Sequence, residues 1–303
     1  MDGLLIVDKP RGITSHDVVR QVRRALKTRK VGHAGTLDPL ATGLLLVAVG
    51  EGTRVLQFLM EGDKTYRARL KLGETTDTQD SDGKVIEQRP WQGIGPQDVE
   101  RACASFRGEI RQVPPMYSAL KKDGVPLYRL ARQGIEIERE ERPVTIHRLE
   151  ILQVELPAVA IEVDCSKGTY IRTLVHDIGQ ALGCGAHLTE LRRTRSGLFS
   201  IERALTLEQL AEGVELAGHP AWLSLGEALG EYPAVQLVEE ACRRLRNGIP
   251  PALDEVRGGE NCRPGERALL YEGPRLLAIA SFEPGRELEQ RGDFRLLRVF
   301  NRG

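Results

Sequence analysis

Aromatic side chains are scarce, at 5% of 303 residues, and net charge is absent: 43 Lys and Arg balance 43 Asp and Glu. That balance argues against a disordered chain and against a globally basic nucleic-acid binder. It leaves room for a local basic face. The cysteines are few and odd in number (Cys103, Cys165, Cys184, Cys242 and Cys262), and no two have C-x-x-C spacing. Neither a disulfide framework nor a zinc site is expected, and a reducing cytoplasm fits. The 6 histidines are scattered without an H-x-x-x-H pair, so no metal site is expected. The longest apolar run, "LLLVAV", falls far short of the roughly 20 residues that span a membrane. The N-terminal "MDGLLIVDKP" has no basic n-region and no long apolar stretch, and is not expected to be a signal peptide.

What is present reads as a globular chain. Hydrophobic residues make up 41%, and the length suits one large domain, or one large and one small. "GLLIVDKP" predicts a strand broken by Pro10 and Gly12. Ser15 is the expected N-cap of a helix "HDVVRQVRRALK", with Val18, Val22 and Leu26 at four-residue spacing. From Arg20 to Lys30 there are six basic residues and no acid. "GLLLVAVG" reads as a buried strand and "TRVLQFLM" as a short helix. "TYRARLKL" alternates, with Tyr66, Ala68, Leu70 and Leu72 on one face and Arg67, Arg69 and Lys71 on a basic one. "TTDTQDSDG" is an acidic turn region. "PQDVERACASF" predicts a helix, "VTIHRLEILQVEL" and "AVAIEVDC" strands, "GTYIRTLVHDIGQALG" a helix ended by Gly183, and "AHLTELRRTRSG" a strand running into a basic turn. After about Glu208 the chain becomes acidic and rich in Gly and Pro. A fresh pattern starts at "EYPAVQLV", with a helix "EEACRRLRNG" and three short strands, so a boundary is expected near residue 231.

Two constellations compete for function. "LLLVAVGEGTRV" sets G-x-G between a strand and a helix, with Glu74 about 20 residues on, which is most of a dinucleotide fingerprint. Val55 at the third Gly position, the shortness of the helix and the alternation at 66–72 all count against it. A nicotinamide oxidoreductase is therefore a distant alternative. The other constellation is "GHAGTLDPLATGLL", where one carboxylate, Asp38, sits in a loop without Lys or Arg. Pro39 pushes Asp38 towards an extended conformation, and Gly32, Gly35 and Gly43 allow close bending. In isolation, "LDP" would read as a capped turn. "CSKGTYIRTLVHDIG" puts Tyr170 and Arg172 at a strand-to-helix junction. A cationic partner would keep a carboxylate such as Asp38 ionised even in a buried site.

"HAGTLDPLATG", "DKTYRARLKLG" and "CSKGTYIRT" resemble the signature segments of the bacterial tRNA pseudouridine-55 synthases, the TruB family. "LLIVDKPRGITSHDVV", "PPMYSALKKDG", "LYRLARQG" and "GCGAHLTELRRTRSG" match too, in the family's order, so that the resemblance covers residues 3 to 205. Leu46, where many members carry Pro, is a departure that touches no site residue. The resemblance implies an α/β (α+β) pseudouridine synthase fold over residues 1–231, with a large mixed, mostly antiparallel sheet and flanking helices. Residues 232–303 resemble, in size and strand pattern only, a small PUA-like β pseudo-barrel that binds RNA. A fragment 1–231 is then expected to fold on its own.

The activity implied is isomerisation of uridine 55 in the T loop of tRNA to pseudouridine by base flipping, with no cofactor and no metal. Asp38 would be the nucleophile, Tyr66 would stack on the uracil and place its hydroxyl for proton transfer, and Arg172 would pair with Asp38. Tyr170 and Leu191 would line the pocket. His33 would contact nucleotides near the vacated position, and Asp80 would help bind the T arm. Lys9 and Lys64 are further candidates, Lys9 alternatively supporting the loop and Lys64 being an ordinary surface lysine. Arg20 to Lys30, the Arg67/Arg69/Lys71 face, Lys121/Lys122, Arg129/Arg132 and Arg192/Arg193/Arg195 are candidates for phosphate contacts. The implied partner is the tRNA T arm, with no membrane and no protein partner, for a cytoplasmic monomer. A non-catalytic tRNA chaperone would need the same basic faces but no Asp38.

Overall fold

A computed structural model describes residues 1–285 and 292–300. Its centre is an 11-stranded sheet. Four strands labelled here are β1 (Gly3–Lys9), β2 (Val31–Ala34), β3 (Thr42–Val49) and β4 (Lys64–Leu72). The sheet's main path runs Leu205–Thr206, β1, β3, Ala186–Ser196, β4, Ala158–Cys165, Arg142–Glu155 and Gly108–Gln112. Two pairings are parallel, β1 with Leu205–Thr206 and β3 with Ala186–Ser196, and the rest along the path are antiparallel. Residues 4–7 of β1 and 44–49 of β3 are apolar and fully buried, as strands covered on both faces must be. The strand β4 alternates in burial as its sequence does, with Tyr66, Ala68, Leu70 and Leu72 inward.

Helix α1 (Ser15–Ala25) buries Val18, Val19 and Val22 and shows its basic side to solvent. Its N-cap is Thr14, one residue earlier than the spacing predicts. Thr14 Oγ1 accepts from Asp17 N (3.1 Å) and Thr14 N donates to Asp17 Oδ2 (2.9 Å), a capping box. The reason is competition for Ser15, whose hydroxyl is committed to Leu37. The remaining helices needed below are α2 (Leu56–Leu59), α3 (Pro96–Ala104), α4 (Leu127–Arg132) and α5 (Ile171–Ala181). Pro96 occupies the first turn of α3, and Gly183 follows α5 with φ +77.

Two basic groups read from the sequence are not free. Along β4, Arg67 pairs with Glu162 (2.9 Å), Arg69 with Glu155 (3.4 Å) and Lys71 with Glu74 (2.8 Å). Glu162 comes from the neighbouring antiparallel strand and Glu155 from the strand beyond it, which no local pattern reveals, whereas Glu74 lies three residues after Lys71. The arginines of "RRTRSG" lie in the Ala186–Ser196 strand rather than in a turn. Arg192 pairs with Asp8 (2.7 Å), Arg195 with Asp164 (3.3 Å), and Arg193 is buried. By contrast, among the described residues no carboxylate pairs with Arg24, Lys27, Arg29, Lys121, Lys122 or Arg129.

The "VGEGTRV" turn is also explained structurally. It forms a 3-10 helix, Gly50–Val55. A Cβ at Gly52 would meet Gly3 O at 2.2 Å. The amide of Glu51 donates to Asp2 Oδ1 (2.6 Å), and the Glu51 carboxylate pairs with Lys30 and with Arg54. The glycines serve close packing against the chain's own N-terminal strand, and the turn offers an anion no cradle.

Residues from Ala234 form a five-stranded sheet in the order Val256–Arg257, Ala234–Leu237, Arg267–Glu272, Arg275–Phe282, Phe294–Val299, with helix Glu239–Arg246 beside it. Alternation along these strands serves two cores. Leu270, Ala278, Ala280 and Phe294 belong to a local cluster with Cys242 and Leu245. Leu269, Ile279 and Phe300 join the core of the large sheet.

Candidate active site

A cleft of about 590 Å³ lies between the Gly35–Asp38 loop, the start of α5, β4 and the segment 118–120. Asp38, Tyr66, Arg172, Tyr170, Leu191 and Lys64 all line it. These residues are scattered over more than 150 positions, and the sheet order brings them together. The strand Ala186–Ser196 lies between β3 and β4, so Leu191 and Tyr66 come from adjacent strands beneath the loop that follows β2.

The Asp38 loop is fixed from both sides. Leu37, Leu40 and Ala41 are buried anchors. Ser15 Oγ donates to Leu37 O (3.0 Å) and accepts from Leu37 N (2.8 Å). Gly12 N donates to Pro39 O (2.8 Å) and Ala41 N to Asp38 O (3.1 Å). Lys9 is fully buried beneath the loop, and its ammonium donates to Ile13 O (2.7 Å), Pro10 O (2.9 Å) and Pro39 O (3.4 Å). Gly43 closes the loop with φ +99. A Cβ there would meet Arg193 O at 2.3 Å, so no other residue fits this approach of two backbones. With its neighbours anchored, Asp38 is left 37% exposed at the cleft floor.

Arg172 sits in the first turn of α5 with only 4% of its side chain exposed. Its Nε donates to Asp38 Oδ2 (2.9 Å), Nη1 to Thr78 O (2.9 Å) and Nη2 to Tyr117 O (2.7 Å). Asp80 Oδ2 lies 3.6 Å from Nε. Asp80 is itself buried, and its other oxygen accepts from Thr78 Oγ1 (2.6 Å) and Asp82 N (3.1 Å). Burial pushes the Asp80 carboxyl above the usual range, against the opposing pull of Thr78 and Arg172. Asp80 thus stands behind Arg172 and not in the cleft lining.

Tyr66 is buried, and burial pushes its phenol above its ordinary value, partly offset by the neighbouring Arg193 guanidinium. Tyr170 is the N-cap residue of α5. Gln112 holds it from both sides, accepting from Tyr170 N (3.0 Å) and donating to Tyr170 O (3.2 Å). Lys64 is buried rather than a surface lysine. Its ammonium donates to Met60 O (2.8 Å) and to Gly62 O. Burial pushes both Lys9 and Lys64 down to about 8. His33 is on β2, outside the residues that line the cleft, with Nδ1 buried and unpartnered. Burial, His16 and Arg193 lower its basicity.

One cleft residue was read from the sequence only as a surface cation. Arg193 is 1% exposed, donates to Leu44 O (2.7 Å) and Gly35 O (3.1 Å), and lines the cleft. Its signal was available, since it lies two positions after Leu191 on a strand and must share its face. The cleft lining therefore carries Lys64, Lys167, Arg172 and Arg193, against Asp38 and Glu61 as its carboxylates among the described residues. Such a cavity favours a polyanion while offering one carboxylate, fixed by a buried arginine, beside two aromatic side chains.

No group of three or more His, Cys, Asp or Glu among the described residues is placed to hold a metal ion. No described helix is long and apolar enough to cross a membrane.

Comparison with known proteins identifies the chain's family. Residues 23–171 match the TruB family pseudouridylate synthase N-terminal domain, and residues 172–222 the tRNA pseudouridylate synthase B C-terminal domain. A protein of Syntrophotalea carbinolica named tRNA pseudouridine synthase B is 53% identical over 100% of this chain and 99% of its own. Its namesake from Geobacter sulfurreducens is 48% identical over 99% of this chain and 100% of its own. Among solved structures, a Cbf5–Nop10–Gar1 complex contains a chain with TM-score 0.74 and 30% identity, over 98% of this chain and 84% of that one. An H/ACA RNP bound to a substrate RNA containing 2′-deoxyuridine contains another, with TM-score 0.73 and 28% identity over 98% and 84%. With this agreement over nearly its whole length, the chain belongs to the TruB family of pseudouridylate synthases.

Proposed function

We propose that this chain converts the uridine at position 55 in the T loop of tRNA to pseudouridine, with Asp38 as the attacking carboxylate. The observation that carries the reading is the Arg172–Asp38 pair at the floor of a cleft that also holds Tyr66 and Tyr170. The reaction is an isomerisation. The C1′–N1 bond breaks, the uracil turns, a C1′–C5 bond forms, and the C5 proton leaves while N1 gains one. Electrons balance without an oxidant, so the chemistry calls for a nucleophile or base, a stacking surface and exclusion of water. Attack at uracil C6, attack at C1′, and proton abstraction giving a glycal would each use a carboxylate held where Asp38 lies.

The target base is stacked in the T loop and must be flipped out, which costs a few kcal/mol. Phosphate contacts offset that cost. Arg24 on α1, Lys27 and Arg29 just beyond it, and Lys121, Lys122 and Arg129 at and near α4 are among the cations named from the sequence that have no carboxylate partner among the described residues. Tyr66 would stack on the uracil, with Tyr170 and Leu191 completing the pocket. Residues 232–303 would form a second, PUA-like domain contributing to tRNA binding. The enzyme would act as a cytoplasmic monomer, without cofactor.

The test is tritium release from C5-labelled uridine in a T-arm hairpin transcript. Stoichiometric release from position 55, lost when that uridine is replaced by cytidine, supports the reading. Binding of the hairpin without release would favour an RNA chaperone instead.

A further inference from the structure

Glu61 raises a difficulty for a cleft that must admit an RNA backbone. Apart from Asp38, it is the one carboxylate lining the cleft among the described residues, and its side chain is 45% exposed. A free anion at this rim would repel an entering phosphate. The residue that meets it comes from 206 positions away, on the small C-terminal sheet. Arg267 Nη1 donates to Glu61 Oε2 (2.7 Å) and Nη2 to Glu61 Oε1 (3.2 Å), a two-point fork. Nη1 also donates to the Tyr232 hydroxyl (3.0 Å). The guanidinium carbon lies 5.0 Å from the centre of the Phe58 ring and 5.7 Å from that of Tyr232.

Both terminal nitrogens of Arg267 are therefore engaged, and it is not a free cation reaching for RNA. The segment it grips is part of the cleft wall. Gln57, Met60, Glu61 and Lys64 all line the cleft, and Met60 O and Gly62 O accept from the Lys64 ammonium. The turn is held on its other side by Gly197, whose amide donates to Asp63 O (2.8 Å). Arg298, also on the C-terminal sheet, donates to Gln57 Oε1 (3.3 Å). The C-terminal sheet thus reaches the cleft through this turn, with Arg267 at the contact.

We propose that Arg267 is a positioning residue for the reaction: it neutralises Glu61 and holds it at the rim, so that Asp38 is the only carboxylate the cleft presents to an incoming RNA. The proposal rests on the reading of the substrate as RNA. Its test therefore begins by establishing that the wild-type chain binds the T-arm hairpin and releases tritium from it. Failure there overturns the functional reading and not the Arg267 pairing. Should another RNA prove to be the substrate, the same variants are compared on that RNA.

Arg267→Met should weaken hairpin binding about tenfold at 50 mM salt, and the deficit should shrink below about threefold at 500 mM, because the harm is an unscreened charge at the rim. Arg267→Met combined with Glu61→Gln should recover binding to within about threefold of wild type. A merely structural role for Arg267 would leave the double variant as weak as the single one and the loss indifferent to salt; either result overturns the proposal. If Arg267→Met does not fold by circular dichroism, Glu61→Gln alone decides. It should bind the hairpin more tightly at low salt, by up to about threefold, and weaker binding would mean that Glu61 itself contacts RNA.

Discussion

Arg172 Nε and Asp38 Oδ2 are 2.9 Å apart, joined across 134 positions of sequence, with the arginine buried and the carboxylate open to the cleft. The asymmetry matters. One member of the pair is an immobile part of the protein interior, and the other faces whatever enters. Arg172 is not free to follow Asp38 elsewhere, because two backbone carbonyls hold its remaining nitrogens. The carboxylate is thereby aimed before a substrate arrives, the preorganisation that the proposed attack by Asp38 would require.

Asp38→Asn tests the aimed carboxylate directly. Asparagine keeps the shape and can still accept from Arg172 Nε, but it is neither a nucleophile nor a base. Turnover should fall by at least about 10³-fold, with hairpin affinity within about twofold of wild type. Single-turnover tritium release and filter binding on the same preparation check both. Substantial turnover by the purified variant would remove Asp38 from the chemistry.

Tyr66→Phe separates stacking from hydroxyl chemistry. The ring lies in the cleft wall, and burial keeps its phenol protonated well above neutral pH. Phenylalanine keeps the ring, so affinity should be unchanged. If the hydroxyl moves a proton, the rate should fall roughly 10²-fold or more. Equal rates for the two proteins would reduce Tyr66 to a platform.

Arg172→Lys asks whether charge alone suffices. The guanidinium spans Asp38, Thr78 O and Tyr117 O with three separate nitrogens. A lysine ammonium is a point charge and cannot reach all three. At least one buried carbonyl would be left unpaired, at about 1–3 kcal/mol. Urea denaturation should show that loss, and the single-turnover rate should drop roughly 10²-fold as Asp38 loses its fixed aim. An unimpaired Arg172→Lys enzyme would contradict a geometric role for the pair.

These three predictions differ in how far the sequence supports them. The alternation of Tyr66, Ala68, Leu70 and Leu72 is a local, period-two signal, and the burial of β4 follows it. The Asp38 loop was legible because Gly and Pro punctuate it and apolar residues flank the acid. The partners of Arg172 were not, apart from Asp38 through family resemblance, because backbone carbonyls such as Thr78 O and Tyr117 O carry no residue identity. Ion pairs fail for a related reason. Arg67 meets Glu162 only because two strands far apart in sequence lie side by side in the sheet. Basic patches counted along a chain therefore overstate free charge, and only strand alternation, not the basic run itself, marks Arg193 as buried.

The two buried lysines predict opposite effects of alkaline pH on stability and on binding. Burial lowers Lys9 and Lys64 from the ordinary lysine value to about 8. Between that pH and the unfolded value the unfolded chain holds more protons than the folded one, so these groups make stability rise with pH. Over the same interval the cleft loses positive charge, and RNA affinity should fall. Going from pH 7 to pH 9 should raise the urea midpoint contribution of these lysines while weakening hairpin binding. Lys64→Met should flatten both trends. If the variant keeps the wild-type pH dependence of binding, Lys64 is not the group that titrates.

The last prediction concerns the C-terminal sheet, which sequence composition marks off near residue 231 as if it were separable. Leu269 and Ile279 on its strands, and Phe300 just after its last strand, are buried in the core of the large sheet, and Arg54 lies over the Phe300 ring at 5.6 Å. Burying one large apolar side chain contributes about 1.5–3 kcal/mol, so removing this face should cost the remainder at least about 3 kcal/mol. For a fragment of this size that is roughly 10 °C in Tm. A fragment 1–231 should therefore melt well below the full chain and aggregate more readily, and its turnover on an isolated T-arm hairpin should fall even though the hairpin is too small to reach a distant RNA-binding module. Phe300→Ala probes the same contact without removing a strand, and should cost about 3 kcal/mol by leaving a cavity. Thermal melts of wild type, fragment and point variant, followed by hairpin turnover below the lowest melting temperature, separate packing from RNA contact. A fragment as stable and as active on the hairpin as the full chain would show that the C-terminal sheet is a true accessory and that its apolar face is dispensable.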